Sequence, residues 1–490
     1  MGGRGWSRLL IGVALCATSA ASRAESLRDA LVAAYQGNPD LQGARASQRA
    51  TDENVPIAQA SGLPSLSGSV YYAHTIEKQA NGDLDFYPSD TASASTSLNA
   101  PVYSGGGVRN SVRAAKTRVE AGQASLRSTE SGVFSSVVAA YLDVTLNTAI
   151  VGLNRNNVQV LEVNLKATTD RFEIGDVTRT DVAQSNSRLA LARADLRTAE
   201  ANLISAREHY IQVVGHAPGD LDPAPPLAGL PASPDEAVQI ALDSNPDLAA
   251  AHYATKAADY DVRSASSARM PKIAVVGSYN YTDYLGTLSP LAQAIGSLPH
   301  VSTAQVGLQA TIPIYQGGGP SAQIRQAQAN EGAAQDKEIS VERQVIATVR
   351  ADYASLQAAN DNIAMNQTAV EAAALSLEGV RAENTVGNRT ILNILDAEQE
   401  LLNAQVKLVT ARRNAYVAGF NLLAAMGKAQ AKDLALDNEQ GVALYDPNVH
   451  YEHVRSDRWD WHEDPKPEPD ATRTVNTSAQ DAKVPPQPMP

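Results

Sequence analysis

Two hydrophobic patterns alternate along the chain and predict two kinds of secondary structure. Apolar residues recur every seven positions in two long stretches that contain no proline, between Pro101 and Pro218 and between Pro320 and Pro447. Because proline ends or kinks a helix, such stretches permit very long helices that pack as coiled coils. The first heptad series is Val137, Val144, Val151, Val158 and Leu165, and the second is Val349, Leu356, Ile363, Val370 and Leu377.

Each proline-free stretch predicts an antiparallel helical hairpin. The first ascending helix is expected over residues 108–172, a length on the order of 100 Å at 1.5 Å per residue. A turn at Gly175 leads into a shorter descending helix with alternating lanes of large residues and alanine, which suit close packing of two helices. The second hairpin repeats this pattern with a turn at Gly387. The tips are therefore placed near residues 173–180 and 384–390.

Period-two alternation marks four short segments between the helices as strands. Each segment has one apolar face and one face of small polar residues, and each is about ten residues long, which is typical of a tilted transmembrane β-strand. A soluble hairpin with one wet face would show the same alternation, but its recurrence four times in an exported chain favours the membrane. The predicted strands cover about 65–74, 92–102, 272–281 and 302–312.

The second half of the chain repeats the first. Pro101–Gly107 returns as Pro313–Gly319, a shift of 313 − 101 = 212 positions, and the Asn-Pro-Asp-Leu sequence at Asn38 returns at Asn245. The sequence therefore predicts two copies of one helix–strand unit. We assign residues 25–230 to repeat 1 and 231–432 to repeat 2, followed by a polar, partly disordered C-terminal tail over 433–490.

Composition and charge narrow the class of protein. Only 5% of the 490 residues are aromatic, which is unusual for several compact domains and suits extended, alanine-rich helix pairs. The formal net charge is −13, with no basic stripe, so nucleic-acid binding is not expected.

The N-terminus has the pattern of a secretory signal. Arg4 and Arg8 precede an apolar run, and small residues predict cleavage after Ala24, which makes residues 1–24 a signal peptide. Cys16, the one cysteine, lies in that run. No other stretch has 18 consecutive apolar residues, so no transmembrane helix is predicted.

Catalytic and cofactor motifs are absent from the sequence. There is no Gly-x-x-x-x-Gly-Lys-[Ser/Thr], no His-Glu-x-x-His and no Gly-x-Ser-x-Gly, so we expect neither an enzyme nor a cofactor. The glycine triplets at 105–107 and 317–319 lack a following lysine and suit strand-to-helix turns instead. His450, His453 and His462 lie among acids in the tail, where only adventitious metal binding is expected.

The strand count predicts assembly. Four strands cannot close a barrel, and lipid tolerates no open sheet edge. Two copies would give eight strands filled with side chains, whereas three give twelve with room for a pore, which suits the inward Ser, Thr, Asn and Gln residues. The expected fold is mainly α with a transmembrane β part. Long coiled-coil hairpins form an α-barrel, and four strands per chain contribute to a 12-stranded trimeric β-barrel.

These features together resemble the TolC family of outer-membrane channels over roughly residues 25–432. The sharpest local match is Val386–Ala397, which is similar to the family's second-repeat helix tip, and Arg171–Gly175 followed by Thr180–Val182 resembles the first-repeat tip. The resemblance implies a homotrimeric channel-tunnel in the outer membrane of a Gram-negative bacterium, with its helices in the periplasm. It also implies a periplasmic adaptor protein and an inner-membrane ABC or proton-driven transporter as partners.

The resemblance further implies a gate at the tips that closes the periplasmic entrance. By position, Arg389 is expected to bond near Thr180, and Asp396 is expected to form an acidic ring in the trimer. Three carboxylates around one axis would attract cations. The residues alone favour the interpretation that Arg389 and Asp396 are solvated surface charges that contribute little, and it is the resemblance that favours the gate.

Two positions depart from the family pattern. Asn384 stands where a tyrosine often pairs with the residue at Asp181, and Asn393 stands where a second acidic ring would be. The resemblance therefore predicts an Asn384–Asp181 link that is weaker than usual, and an entrance less anionic than one with two rings.

The expected function is export of proteins or small molecules, by type I secretion or multidrug efflux. Leu15 is bulkier than the small residue that usually precedes a lipid-attachment cysteine, so Cys16 is not expected to be acylated. This non-lipidated start and the acidic tail favour the secretion branch slightly. A structural periplasmic coiled-coil protein without a pore is the alternative, and a passive porin would not need such long heptads.

Overall fold

The computed structural model describes residues 24–77, 88–436 and 443–484. The predicted signal peptide, apart from its last residue, and most of the loop between the first two strands lie outside these ranges. The strands are β1 (Ser65–His74), β2 (Asp90–Tyr103), β3 (Lys272–Asp283) and β4 (His300–Thr311). The helices are α1 (Leu27–Gly37), α2 (Pro39–Asp52), α3 (Asn54–Ala60), α4 (Gly107–Glu173), α5 (Arg179–Val214), α6 (Pro234–Ser244), α7 (Pro246–Ser266), α8 (Pro290–Ala294), α9 (Gly319–Thr385), α10 (Ile391–Ala425) and α11 (Pro447–Val454).

Two long helical hairpins form the body of the molecule, as the heptads predict. Helices α4 and α9 contain 67 residues each, a length on the order of 100 Å. Helix α5 packs against α4 and α10 against α9, while α10 also contacts α4, so the two hairpins lie side by side. The alanine lane of α5 is buried, which lets the backbones approach closely. The shorter helices α2, α3 and α7 pack against α4, and α7 also contacts α9.

Two equivalent asparagines join the short helices to the hairpins. The Asn38 side-chain oxygen accepts hydrogen bonds from the first backbone N–H groups of α2, and its Nδ2 donates to the Val213 carbonyl at 2.8 Å. Asn245 caps α7 in the same way and donates to the Ala425 carbonyl at 2.8 Å. Each asparagine therefore starts one helix and ties it to the end of a descending helix, which explains why the Asn-Pro pair recurs.

The four strands form one antiparallel sheet in the order β1-β2-β3-β4, with bounds within about two residues of the predicted ones. The register keeps the two faces separate across all four strands. Ser67 pairs with Ser97, which pairs with Ser278, which pairs with Gln305. The adjacent row on the opposite face is Leu66, Leu98, Gly277 and Val306.

The main hydrophobic core lies where the short helices α1, α2 and α6 pack against the two long hairpins. It contains many of the chain's few large rings, and the Tyr141 hydroxyl donates to the carbonyls of Glu25 and Asp222 at 2.8 and 2.7 Å. Burial raises the pKa of this hydroxyl well above its usual value. Helix α4 is long and apolar enough to cross a membrane by length and composition, which a count of consecutive apolar residues did not indicate. Apolar residues of this helix belong to the core, among them Val133, Phe134, Val137, Val138, Tyr141 and Val144.

The described part of the tail lies against the body of the molecule. The Tyr445 backbone N–H donates to the Tyr35 hydroxyl at 2.8 Å, and the Thr472 N–H donates to the Gly37 carbonyl at 3.1 Å. Further along, Arg207 of α5 donates to the Lys483 carbonyl at 2.9 Å. The described residues 443–484 of the tail contain helix α11 and lie along the helices, where backbone groups of the tail find partners.

Candidate functional site at the helix tips

The tips of the two hairpins turn through one glycine each. Gly175 has φ +81° and Gly387 has φ +83°, in the left-handed region where a side chain is strained. The ascending helix ends two residues before this glycine in both hairpins, and the descending helix begins four residues after it. The turns therefore lie at the two predicted glycines, and they fix where the flanking charged residues lie.

Each descending helix begins with a reciprocal capping box. Thr178 Oγ1 and backbone N–H donate to Asp181 Oδ2 at 2.7 and 2.8 Å. Thr390 makes the same two bonds to Asn393 Oδ1, at 2.9 and 3.1 Å. The hydrogen bonds from Thr178 lower the pKa of the Asp181 carboxyl from its usual value. Asn393, which stands at the expected acidic-ring position, therefore serves as a neutral helix cap.

An ion pair spans each turn within its own hairpin. Arg171 Nε lies 2.6 Å from Asp176 Oδ2, and Arg389 Nε lies 2.6 Å from Glu383 Oε2. Thr180 is exposed. The expected contact between Arg389 and Thr180 is not found within the described part of the chain, because Glu383 takes the guanidinium; a contact between neighbouring copies stays a prediction.

Asn384 also bonds within its own tip. Its Nδ2 donates to the Arg389 carbonyl at 2.7 Å and so closes the second turn. Among the described residues it makes no bond to Asp181, whose carboxylate is used by Thr178. The expected Asn384–Asp181 link therefore does not form within a single chain, because both side chains are committed to local turn geometry.

Asp396 links the two hairpins. Its Oδ1 pairs with Arg188 Nη2 of α5, a partner that the sequence did not predict. Both side chains are about a third to a half exposed. An ion pair with this exposure contributes about 0–1 kcal/mol, so it stabilises the pairing of α5 with α10 only slightly.

A buried carboxylate makes a stronger connection between the hairpins. Glu398 of α10 is buried, and its two oxygens accept from Asn164 Nδ2 of α4, both at 3.0 Å. Arg381 of α9 donates to Glu398 Oε1, also at 3.0 Å. One charge thus holds three helices of both hairpins. Sequence reasoning missed it, although a charged residue between the buried Leu395 and Leu402 in the core-facing lane was a usable signal.

A small apolar cluster accompanies the hydrogen bonds of Glu398. It joins side chains of α4, α5 and α10, so it lies on the line where the hairpins meet. An apolar surrounding strengthens the hydrogen bonds of a buried charge and makes their loss costly. Its buried members are Val158, Leu161, Leu189, Ala192 and Leu395.

Within the described ranges, no group of three or more His, Cys, Asp or Glu residues could hold a metal ion. In the tail, His450 Nδ1 lies 3.1 Å from Asp52 Oδ2, and His462 pairs with Asp457. The rings of His450 and His462 therefore lie within hydrogen-bond distance of carboxylates.

Comparison with known proteins gives consistent matches. The family model described as outer membrane efflux protein matches residues 30–216 and 237–428. The chain is 36% identical over 451 residues to the outer membrane efflux protein BepC of Brucella suis, covering 92% of this chain and 94% of that one. It is 28% identical over 447 residues to the outer membrane protein TolC of Escherichia coli, covering 88% of both. Among solved structures, it resembles the Campylobacter jejuni CmeC outer membrane channel with a TM-score of 0.73 at 16% identity, over 88% of this chain and 89% of that one.

Proposed function

The chain belongs to the outer membrane efflux protein family, and from this premise we propose that three copies form an export duct across the outer membrane. Each copy contributes four strands to a 12-stranded barrel, and the helical hairpins continue the duct into the periplasm. The duct carries proteins, small molecules or both out of the cell.

The observation that carries this proposal is the sheet. It sorts polar and apolar side chains onto opposite faces in register, yet β1 and β4 each have only one neighbour among the strands of the described ranges. In lipid, an unpaired strand edge leaves backbone groups without partners, which costs several kcal/mol for each group. Pairing β1 of one copy with β4 of the next removes every open edge, and the row of serines then faces a wet lumen.

The hairpins give the duct its reach and its partners. The sequence holds no nucleotide-binding motif, so energy for transport comes from outside the chain. We propose that the tips dock on a periplasmic adaptor protein, which connects them to an inner-membrane ABC or proton-driven transporter.

We further propose that the tips are the gate of the duct. In a trimer, the second tip carries Asp396 toward the axis region, while Arg188 and Glu398 hold the two hairpins of each copy together. Opening requires the second hairpin to move away from the first, and therefore breaks the Asp396–Arg188 ion pair and the hydrogen bonds between Glu398 and Asn164. Thr180, Asp181, Asn384, Arg389 and Asn393 shape the two turns on which this movement acts.

Single-channel recording of the purified protein in planar bilayers tests this function. A small, cation-selective conductance is expected, because the closed tips restrict a lumen that otherwise conducts. Absence of any conductance, together with recovery of the protein in the soluble periplasmic fraction, would contradict the duct and favour a structural coiled-coil protein. Deletion of the gene, followed by assays of drug sensitivity and of secreted proteins, assigns the substrate class.

A further inference from the structure

The two tryptophans of the tail stand out by their exposure. The chain has three tryptophans, of which Trp6 lies in the predicted signal peptide. Trp459 is 71% exposed and Trp461 is 84% exposed. An exposed indole ring presents a large apolar surface to water, which is unfavourable and indicates an interaction site.

The tail is fixed to the body immediately before these residues. Helix α11 packs against α2, where His450 meets the fully buried Asp52, and Val454 is buried. Tyr451 packs against a small core of Val55, Ala115 and Val119. The position of the segment that follows is therefore set by the fold.

The segment that carries the tryptophans is also held in a defined turn. The Trp459 backbone N–H donates to Asp457 Oδ1 at 3.1 Å, and the His462 N–H donates to the Trp459 carbonyl at 3.2 Å. The Asp457 carboxylate pairs in addition with the His462 ring. The turn presents both indoles outward in a fixed place.

That place is the junction between helix and strand. A cavity of about 670 Å³ is lined on one side by Ile57, Pro64 and Leu66 and on the other by Trp459. Leu66 lies at the beginning of β1 and in the apolar row of the sheet, and it is exposed. Trp459 thus lies beside the first apolar residue of the sheet face that the proposed function assigns to lipid.

We infer that the turn around Trp459 and Trp461 is an anchor in the headgroup layer of the periplasmic leaflet. Tryptophan prefers this layer, because its ring is apolar while its N–H finds polar partners. Acidic and basic residues alternate in this turn, without a basic cluster, so the indoles rather than charge attraction make the contact. The anchor fixes the depth of the barrel and couples the tail to the membrane. This inference rests on the proposed function, which places the strands in lipid.

The test uses tryptophan fluorescence of the full-length protein, with Trp6→Phe, in nanodiscs of phosphatidylcholine. Lipids brominated next to the headgroups should quench the emission strongly, at least about twofold, whereas lipids brominated near the chain ends should quench it less. Trp459→Phe and Trp461→Phe variants assign the signal to each ring. Adding anionic lipid should change little, because the turn has no basic cluster.

Two control variants in a background without the native tryptophans make the outcome decisive. Val70 lies on the exposed apolar face of β1, so the emission of Val70→Trp should be quenched by lipids brominated near the chain ends. Leu191 is an exposed residue of α5, so the emission of Leu191→Trp should not be quenched by either lipid. If the Val70→Trp control is quenched but the native tryptophans are not, the anchor is wrong and the duct stands. The anchor is equally wrong if the native rings resist both bromine and aqueous acrylamide, since a protein neighbour then covers them. If the Val70→Trp control is not quenched, the membrane placement itself fails.

Discussion

The Glu398 carboxylate accepts a hydrogen bond of 3.0 Å from the Arg381 guanidinium on the opposite arm of the second hairpin. The same carboxylate accepts from Asn164 of the first hairpin. Glu398 is buried and Arg381 is half exposed, so the carboxylate charge is shielded from solvent where the two hairpins meet. A gate that opens by separating the hairpins must break the hydrogen bonds between Asn164 and Glu398.

We expect Glu398→Gln to loosen the closed gate. The amide keeps the size of the side chain but loses the charge, and a lost charged hydrogen bond costs about 1–3 kcal/mol. The variant should raise the resting single-channel conductance and the permeability of cells to large antibiotics. Glu400→Gln is the matched control, because Glu400 is exposed and lies two residues after Glu398 on the same helix. Equal behaviour of the two variants would remove Glu398 from the gate.

Block by multivalent cations should depend on Asp396 and not on Asn393. Asp396→Ala removes a carboxylate from each of three copies, so trivalent cations should block the conductance more weakly. Asn393→Ala removes only a neutral cap, at about 1 kcal/mol of local helix stability, and should leave the block unchanged. The measurement is the blocking concentration in bilayer recordings. Equal shifts in the two variants would exclude Asp396 as the acidic ring.

The two tips should respond differently to acid. Hydrogen bonds from Thr178 hold the pKa of Asp181 below its ordinary value of 3.8. A lowered folded pKa means that the cap contributes its full stability above the ordinary pKa and loses it as pH falls through the folded value. Asn393, its counterpart, does not titrate. Each tip also has one Arg–carboxylate pair, so the difference in acid response between the tips reports on the capping residue, Asp181 or Asn393.

Hydrogen exchange of tip peptides measures this difference. Protection at the first tip, corrected for intrinsic rates, should fall more than protection at the second when pH drops below 3.8. Asp181→Asn should make the first tip as insensitive as the second. A fall of the same size in wild type and Asp181→Asn would show that another group is responsible.

The architecture could be predicted from the sequence because it repeats. A heptad pattern without proline predicts a long helix, and a period-two pattern bounded by prolines predicts a strand. The observed bounds of α4 and β1 therefore lie close to the predicted ones. The tip glycines were also predictable, since the chain must reverse there. These features are local, and local patterns are visible in one sequence.

The partners of the tip residues were not predictable in the same way. Arg389 and Asn384 bond inside their own turn, and Asp396 bonds to Arg188, which lies 396 − 188 = 208 positions away. Glu398 is similar, because its role depends on how two hairpins align. The choice between several nearby charged partners depends on distances that a sequence pattern does not contain.

The two faces of the sheet should differ in chemical accessibility. In a background with Cys16→Ser, a cysteine at Ser97 lies on the polar face, and a cysteine at Leu98 lies on the apolar face. A membrane-impermeant maleimide should label the first at least about tenfold faster in proteoliposomes, because it reaches water in the lumen. Faster labelling at position 98 would reverse the assignment of the two faces, and equal labelling would contradict a sheet with one face in lipid and one in water.

A low-resolution image of the purified assembly tests the central claim most directly. We predict a threefold-symmetric particle in which a short barrel in the detergent belt continues into a helical cylinder on the order of 100 Å long, because α4 and α9 have that length. A monomer or dimer, or a particle whose sheet lies outside the detergent belt, would contradict the account.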